Sequence, residues 1–556
     1  MNTHTDELVF VPLGGLGEIG MNAALYGFGP KSRRKWLMVD CGVAFAGPDL
    51  PGIDLIVPDV AFIDKIRRDL VGLIITHAHE DHIGAVPDLW PRLGCNVYAT
   101  PFAAGLLETK RLSEPGAPKV PLHIVPQGGR VVLGPFDIEF IPVAHSIPEG
   151  CALAIRTTHG TVIHTGDWKI DETPMVGLPT DSVRLREIGD EGVLAMVCDS
   201  TNILRDGVSP SETEVAATIA ELVKNAPQRV LVTTFASNIA RVRAVALAAA
   251  AAGRSVMVAG RALDRAIAVA RECGYLDGVP AFASLDNYRN IPRSKTVILA
   301  TGSQGELRAA MARIALNEHP DITLAPGDQV IFSSRPIPGN EKEINHVING
   351  LVDQGVEVIT DRVALVHVSG HPRRQEVAQM YDWVRPNIAI PAHGEGLHLA
   401  EHANFARARG VPNVVKAHNG DVVLLAPGKP GIIDEVPHGR LLKDGNLLIS
   451  GRDEVLGQRN KLAFAGIITI AFAIDSKGHL AGDPDVVLMG VPQTSKDGRA
   501  MDEIVDDAVF ATLDKLPRGK KRDADGASTA VERAVRSAVN AAWGKKPVVH
   551  VLVVEV

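Results

Sequence analysis

From residue 8 to about 208 the chain alternates short apolar runs with Gly, Pro, Ser and Asp, a rhythm that predicts β-strands with tight connections and few helices. Val71 to Ile75, Ile138 to Pro142 and the run into His164 are such strands, and Ile388 to Ala392 repeats the pattern much later. Between them the period changes. Arg229 to Thr234 and Ser255 to Ala259 read as strands, Ile239 to Ala252 and Ala262 to Glu272 as helices, and Thr296 to Ala300 and Gln329 to Ser333 as further strands. That alternation predicts βαβ units and a mostly parallel sheet. The expected organisation is a β-rich domain over residues 1–208, an inserted α/β domain over 209–366, and a return segment of the first domain over 367–430. An extended, Gly- and Pro-punctuated connector over 431–462 and a small α/β domain over 463–556 would follow. In the last domain Phe464 to Phe472, Asp485 to Met489 and Val548 to Val554 read as strands, with helices from about Met501 to Leu516 and Ala527 to Trp543. The final strand is apolar on both faces, so burial in a sheet or an interface is expected.

At 556 residues and 46% apolar, the chain has enough material for about three domains. Its five cysteines lack paired spacing, which points to free thiols in a reducing compartment. The N-terminus has neither a basic nor an apolar leader region, and no run is long enough to cross a bilayer, so a cytoplasmic location is expected. A net charge of −8 argues only weakly against a nucleic-acid partner, because a local basic channel can coexist with an acidic exterior. Arg241, Arg243, Arg254, Arg261, Arg265 and Arg271 crowd one region and could line such a channel or form solvated helix faces. The cluster Arg518 to Arg522 could touch a phosphate backbone or serve as a linker.

The chemistry concentrates in Thr76-His77-Ala78-His79-Glu80-Asp81-His82, directly after an apolar strand. Neutral imidazole and carboxylate are preferred by zinc and its first-row neighbours, and this spacing can serve two adjacent cations. His145, Asp167 and His393 each stand where another short apolar strand gives way to Gly, Pro or Ser, the place where loops carry side chains over a sheet edge. A dinucleotide fingerprint is also nominally present in Gly15-Leu16-Gly17-Glu18-Ile19-Gly20, with Asp40 about twenty residues on. The intervening sequence reads as a hairpin with no room for a crossover helix, so those glycines are assigned to tight turns.

These motifs resemble the metallo-β-lactamase superfamily, its β-CASP nucleic-acid hydrolases and, most closely, the bacterial ribonuclease J family. The likeness rests on Pro12 to Asn22, His77 to Ala85, His145 to Glu149, His164 to Asp171, Cys198 to Asn202, Thr301 to Glu306, His367 to His371 and Pro391 to Glu395, in the family's order. It implies a metallo-β-lactamase αββα sandwich with an inserted β-CASP α/β domain and a small C-terminal α/β domain. It further implies one cation on His77, His79, His145 and Asp167 and a second on Asp81, His82, Asp167 and His393, with Asp167 bridging. Zinc is the expected metal, with manganese or magnesium as alternatives.

Two cations sharing Asp167 would activate water for in-line attack on a phosphodiester. His371 is the candidate general acid, oriented by Asp199 or Glu80. Ser237 and Asn238, at a strand-to-helix turn, could receive a phosphate together with His367 and Ser369, or could simply cap the helix. The resemblance makes this pocket a 5′-monophosphate site. The expected activity is 5′→3′ exonucleolytic cleavage of single-stranded RNA, with endonuclease activity also expected, in RNA maturation and mRNA decay. A homodimer or homotetramer associating with other RNA-decay enzymes would fit. Two alternatives stay open: a hydrolase of small thioesters or lactones on the same fold, and a non-catalytic RNA-binding scaffold.

Overall fold

The computed structural model describes residues 6–113, 116–337, 339–517 and 523–556, so the basic cluster Arg518 to Arg522 lies outside the described residues. The chain divides into two compact units: Met1–Phe45 with Leu55–Leu441, and Ala46–Asp54 with Leu442–Val556.

The first unit contains two large mixed sheets. One runs in the order Gly431–Glu435, Asp421–Ala426, Glu7–Gly14, Ala23–Gly29, Lys35–Val39, Leu70–Ile74, Val97–Ala99 and Leu122–Ile124. The other runs Arg130–Leu133, Phe136–Pro142, Cys151–Thr157, Gly160–His164, Val193–Asp199, Ile388–Ala392 and Asn413–Val414. Their inner faces share one core, in which Phe10, Tyr26 and Ile74 from the first sheet meet Phe140, Leu153, Val162 and Ile390 from the second. Alternation does the rest: Ile141, Ala152, Ile163 and Met196 point the other way and bury against Leu185, Ile188, Val377 and Met380 of the helices Ser182–Glu191 and Arg374–Val384. This is the expected layered sandwich. Gly160–His164, Val193–Asp199 and Ile388–Ala392 are parallel neighbours in register, so their C-terminal ends open on one edge and bring Asp167, Asp199 and His393 there. Leu70–Ile74, parallel to Lys35–Val39, delivers the histidine-rich turn.

The insertion builds a five-stranded, all-parallel sheet in the order Ser255–Ala259, Thr296–Ala300, Val230–Thr233, Gln329–Phe332 and Glu357–Ile359. Its central strands are buried throughout, as crossover helices on both faces require. The alanine-rich helix Ile239–Ala251 is buried on most sides and carries Arg241, which is 0% exposed. Arg241 pairs with Glu212 at 2.7 Å and donates to the Ser333 hydroxyl and to the Val366 carbonyl at 2.5 Å. A buried guanidinium therefore ties the insertion to both of its connections with the sandwich.

The second unit contains a three-stranded sheet, Asp485–Met489, Ile467–Ile474 and Val548–Glu555, with Met501–Lys515 and Ala524–Trp543 packed into one core with it. Two expectations need correction. The presumed extended connector contains strands at Arg440–Asp444 and Leu447–Ser450 and a helix, Glu454–Ala465, so Phe464 ends a helix and does not start a strand. The final strand is not buried on both faces. It is an edge strand whose Val549 enters the core, while Leu552 and Val554 are about half exposed, because the helices cover only one face.

Candidate metal centre

His77 and His79 lie in the turn leaving Leu70–Ile74, while Asp81 and His82 occupy the single-turn helix Glu80–Ile83. Residues 41–43 hold that turn by backbone hydrogen bonds: Cys41 N–H to the His82 carbonyl at 2.7 Å and Val43 N–H to the Glu80 carbonyl at 3.0 Å. Gly42 is needed there because a Cβ at this position would sit 1.7 Å from the Asp81 carbonyl oxygen. Gly42→Ala is accordingly expected to displace Asp81 and His82, reduce bound metal and cut activity at least about tenfold, with little change in circular dichroism. Wild-type metal content in this variant would refute the steric argument.

Three groups of side chains converge, each with its ligand atoms within 4.8 Å of one another: His77, His79, His145 and Asp167; Asp81, His82, Asp167 and His393; and Asp167, Asp199, His371 and His393. In the first, His79 Nδ1 lies 3.1 Å from His77 Nε2 and 3.0 Å from His145 Nε2. In the second, Asp167 Oδ2 is 3.2 Å from His82 Nε2, and Asp81 Oδ2 is 3.2 Å from His393 Nε2. Four of the five imidazoles are anchored through the opposite nitrogen. Nδ1 of His77 meets the Thr76 hydroxyl at 3.0 Å, that of His82 the Asp40 carboxylate at 2.7 Å, that of His145 the Gly370 carbonyl at 2.7 Å and that of His393 the Thr201 hydroxyl at 2.7 Å. These bonds fix ring orientation and leave Nε2 facing the centre.

Burial holds His77 and His145 well below the ordinary histidine pKa, helped by neighbouring imidazoles, and it lowers His79 to about 4. These three are neutral, so an N–H on His79 Nδ1 can serve at most one of the two Nε2 atoms that face it, and the lone pairs left over are available to a cation. Asp167 Oδ1 is buried without a partner. His82 and His393 go the opposite way: burial alone would lower them, but Asp167 and the other nearby carboxylates outweigh it and raise both. A nitrogen-rich donor set whose groups share the Asp167 carboxylate fits divalent metal.

His371 Nδ1 lies 2.8 Å from Asp199 Oδ2 and 3.8 Å from Asp167 Oδ2. Those carboxylates overcome burial and raise its pKa. Glu80, the other candidate for orienting His371, is corrected: its carboxylate is half exposed and paired with Lys110 Nζ at 3.0 Å. At the turn before Ile239–Ala251, Asn238 is buried and accepts from the Arg241 N–H at 2.9 Å, a capping role, while Ser237 is half-buried. His367 is buried with Nδ1 unpartnered, and Ser369 Oγ accepts from Asn202 Nδ2 at 2.9 Å and from the His371 N–H at 3.3 Å. Arg241 links this segment, through the Val366 carbonyl, to the helix that Asn238 caps. Of the crowded arginines, Arg241 is buried in its ion pair, and Arg243 and Arg254 donate to backbone carbonyls.

Profiles for four parts of the chain match in sequence order. They are the metallo-beta-lactamase superfamily at residues 22–196, the ribonuclease J beta-CASP domain at 227–351, the Zn-dependent metallo-hydrolase RNA specificity domain at 355–416, and the ribonuclease J C-terminal domain at 454–556. Ribonuclease J of Sinorhizobium meliloti is 52% identical over 551 residues, covering 99% of this chain and 98% of that protein. The chain belongs to the ribonuclease J family. Members from Corynebacterium glutamicum and Mycolicibacterium smegmatis are 39% and 38% identical, covering 97% and 98% of this chain and 74% and 96% of their own. A solved Enterococcus faecalis protein of unknown function aligns with a TM-score of 0.52 at 14% identity, over 75% of this chain and all of that one, a likeness of fold alone. Membership makes the chain a ribonuclease of the metallo-β-lactamase fold with RNA as substrate, and it disfavours a small thioester or lactone hydrolase. None of the described helices is long and apolar enough to cross a membrane.

No functional motif in the sequence marks the residues that aim the ligands. Asp40 appeared only as part of the false dinucleotide motif, although it holds both His82 Nδ1 and the Thr76 hydroxyl. Its position at the end of Lys35–Val39, on the same sheet edge as the ligands, was the available signal. Glu376 is unmarked as well: fully buried, it accepts from the N–H groups of Ile170, Ser209 and Arg373 and so clamps three segments around the site.

Proposed function

We propose that the chain is a two-metal ribonuclease that degrades single-stranded RNA 5′→3′ from 5′-monophosphate ends and also cuts internally. The observation that carries this reading is the sharing of Asp167 between two four-residue donor groups, with His371 and Asp199 beside them. His77, His79, His145 and Asp167 would hold one cation, and Asp81, His82, Asp167 and His393 the other, zinc being favoured by five imidazoles against two carboxylates, ahead of manganese or magnesium. Divalent cations held there would supply Lewis acidity to the phosphodiester and to the attacking water. His371, with Nδ1 on Asp199, keeps Nε2 to give a proton to the leaving ribose oxygen. Ser237, Asn238, His367 and Ser369 hold the terminal phosphate and set the cut from that end. A cytoplasmic homodimer or homotetramer working beside other RNA-decay enzymes completes the proposal.

The test is digestion of end-labelled RNA bearing 5′-monophosphate or 5′-hydroxyl, together with metal analysis. Mononucleotides released first from the 5′ end, monophosphate preference and two metals per chain are expected. Attack from the 3′ end, or one metal, would overturn it. For the pocket, Ser237→Ala removes a hydrogen bond to a charged group, worth about 1.5–3 kcal/mol, so monophosphate preference should fall at least about tenfold at constant metal content. An equal loss on the hydroxyl substrate would remove Ser237 from end recognition.

A further inference from the structure

Glu149 closes the loop that begins with His145, yet neither the proposed cations nor the proposed acid uses its carboxylate. It is buried and stands at φ 62°, a left-handed conformation that is unfavourable for a residue with a side chain unless its surroundings hold it there. Both carboxylate oxygens are engaged. Oε2 accepts from the Phe102 N–H at 2.8 Å, in the first turn of the helix Pro101–Ser113, and Oε1 accepts from the Tyr275 hydroxyl at 2.7 Å. The first contact lies within the sandwich, and the second crosses to the inserted domain.

Local sequence fixes where Tyr275 stands. The helix Arg261–Glu272 ends at Cys273, Gly274 follows at φ 80°, and the Tyr275 N–H returns to the Ala270 carbonyl at 2.8 Å, a glycine-dependent helix ending. The half-buried ring meets Phe102 edge-on, with 6.1 Å between centroids. Along the same helix pair a Cβ at Gly105 would lie 2.6 Å from Val269 Cγ1, so the two helices touch closely. Arg243, on the neighbouring helix Ile239–Ala251, donates to the Tyr275 carbonyl at 3.2 Å and to the Asp277 carbonyl at 2.8 Å. Tyr275 is therefore anchored in the insertion at both its N–H and its carbonyl.

The way back from Glu149 to His145 is short and closed. The Val143 N–H donates to the Gly150 carbonyl at 2.9 Å, so residues 143–150 form a loop whose ends are joined. Gly150 packs directly under the imidazole's root: a Cβ there would sit 3.3 Å from His145 Cβ and 3.0 Å from the Val143 carbonyl oxygen. A buried loop packed this tightly passes a shift at one end to the other. At the His145 end, Nδ1 rests on the Gly370 carbonyl and Nε2 faces the first donor group.

We infer that Glu149 is a positioning residue for His145, held in place by Tyr275, so that the inserted domain sets how firmly His145 grips its proposed cation. Glu149 touches neither RNA nor the reacting atoms and acts only through the loop. The inference rests on the two-metal reading of the site. Its consequence is that a change confined to the insertion, the domain that would read RNA, alters metal affinity in the sandwich.

The test is zinc affinity of the full chain, read by competition with a chromophoric chelator, beside kcat and KM on RNA and thermal melting of the metal-free protein. Tyr275→Phe removes one hydroxyl from the inserted domain and no proposed ligand. It is expected to weaken one zinc equivalent, the one that His77→Ala also loses, by roughly two- to thirtyfold, the usual span of coupling between sites. kcat should fall by a similar factor with KM within about twofold, and the metal-free melting temperature should stay at the wild-type value. Glu149→Ala should lose more on both counts. Glu149→Gln, whose amide still accepts from Phe102 and donates to the Tyr275 oxygen, should keep most of both. Adding Tyr275→Phe to Glu149→Ala should bring no further loss, because the two act through one contact. Wild-type zinc affinity in Tyr275→Phe, equal weakening of both equivalents, or additive losses in the double variant would overturn the inference. A wild-type protein that binds fewer than two zinc equivalents would instead remove the two-metal reading itself.

Discussion

Asparagine in place of Asp167 is expected to lower RNA cleavage at least about a thousandfold, on the order of 4 kcal/mol of transition-state stabilisation, while the fold survives. Asp167 is common to all three groups of potential ligands. Its Oδ2 lies 3.2 Å from His82, 3.7 Å from His393, 3.8 Å from His77 and His371, and 3.9 Å from His145, and its Oδ1 is buried with no protein partner. His393 and His82 hold its carboxyl well below the usual carboxylate range against the cost of burial, so the group is anionic at neutral pH. An amide keeps the shape but removes the charge that both proposed cations share. His77→Ala and Asp81→Ala resolve the two positions, since each strips one four-residue group and leaves the other complete. Metal per chain, single-turnover cleavage and circular dichroism make the measurement. If Asp167→Asn retained activity within about tenfold of wild type, the two positions would not share this residue.

Much of this was legible in sequence because the fold obeys local rules where it positions chemistry. The parallel inserted sheet was readable from apolar runs alternating with alanine-rich helical stretches, and its strands Val230–Thr233, Thr296–Ala300 and Gln329–Phe332 lie at or within a residue of the expected limits. The family and its RNA substrate followed from motifs whose order is a covalent fact. Other features depend on partners that no local pattern shows. Asp40 is a residue at the end of a strand until His82, forty-two positions later, folds against it. Glu80 stands in the middle of the metal motif, yet the short helix turns it outward to Lys110. Val548–Glu555 looked like a buried strand because its composition is apolar, but its burial was decided by how many layers cover the sheet. Arg241 shows the converse error: an arginine is counted as surface charge from sequence, and here it is the buried tie between the insertion and its connections.

Alanine at His371 is expected to slow the chemical step by about a hundred- to ten-thousandfold, the range for losing a positioned general acid, and to leave metal content near wild type. His371 Nδ1 is engaged by Asp199 at 2.8 Å, a stronger interaction than its 3.8 Å approach to Asp167, so the imidazole is oriented by a carboxylate and its pKa is raised. A raised pKa favours the protonated form, which donation to a leaving oxygen requires. Asp199 does not act on His371 alone: it also accepts from the Thr201 N–H at 2.8 Å and approaches His393 Nδ1 at 3.6 Å. Asp199→Asn should therefore lower the rate and loosen metal retention together, whereas His371→Ala should lower the rate alone. The grouping of His371 with Asp167, Asp199 and His393 supplies the competing outcome. Metal analysis and single-turnover rates on the same preparations decide between them, because loss of a full metal equivalent in His371→Ala would make this histidine a ligand and leave the leaving group to be protonated by another residue.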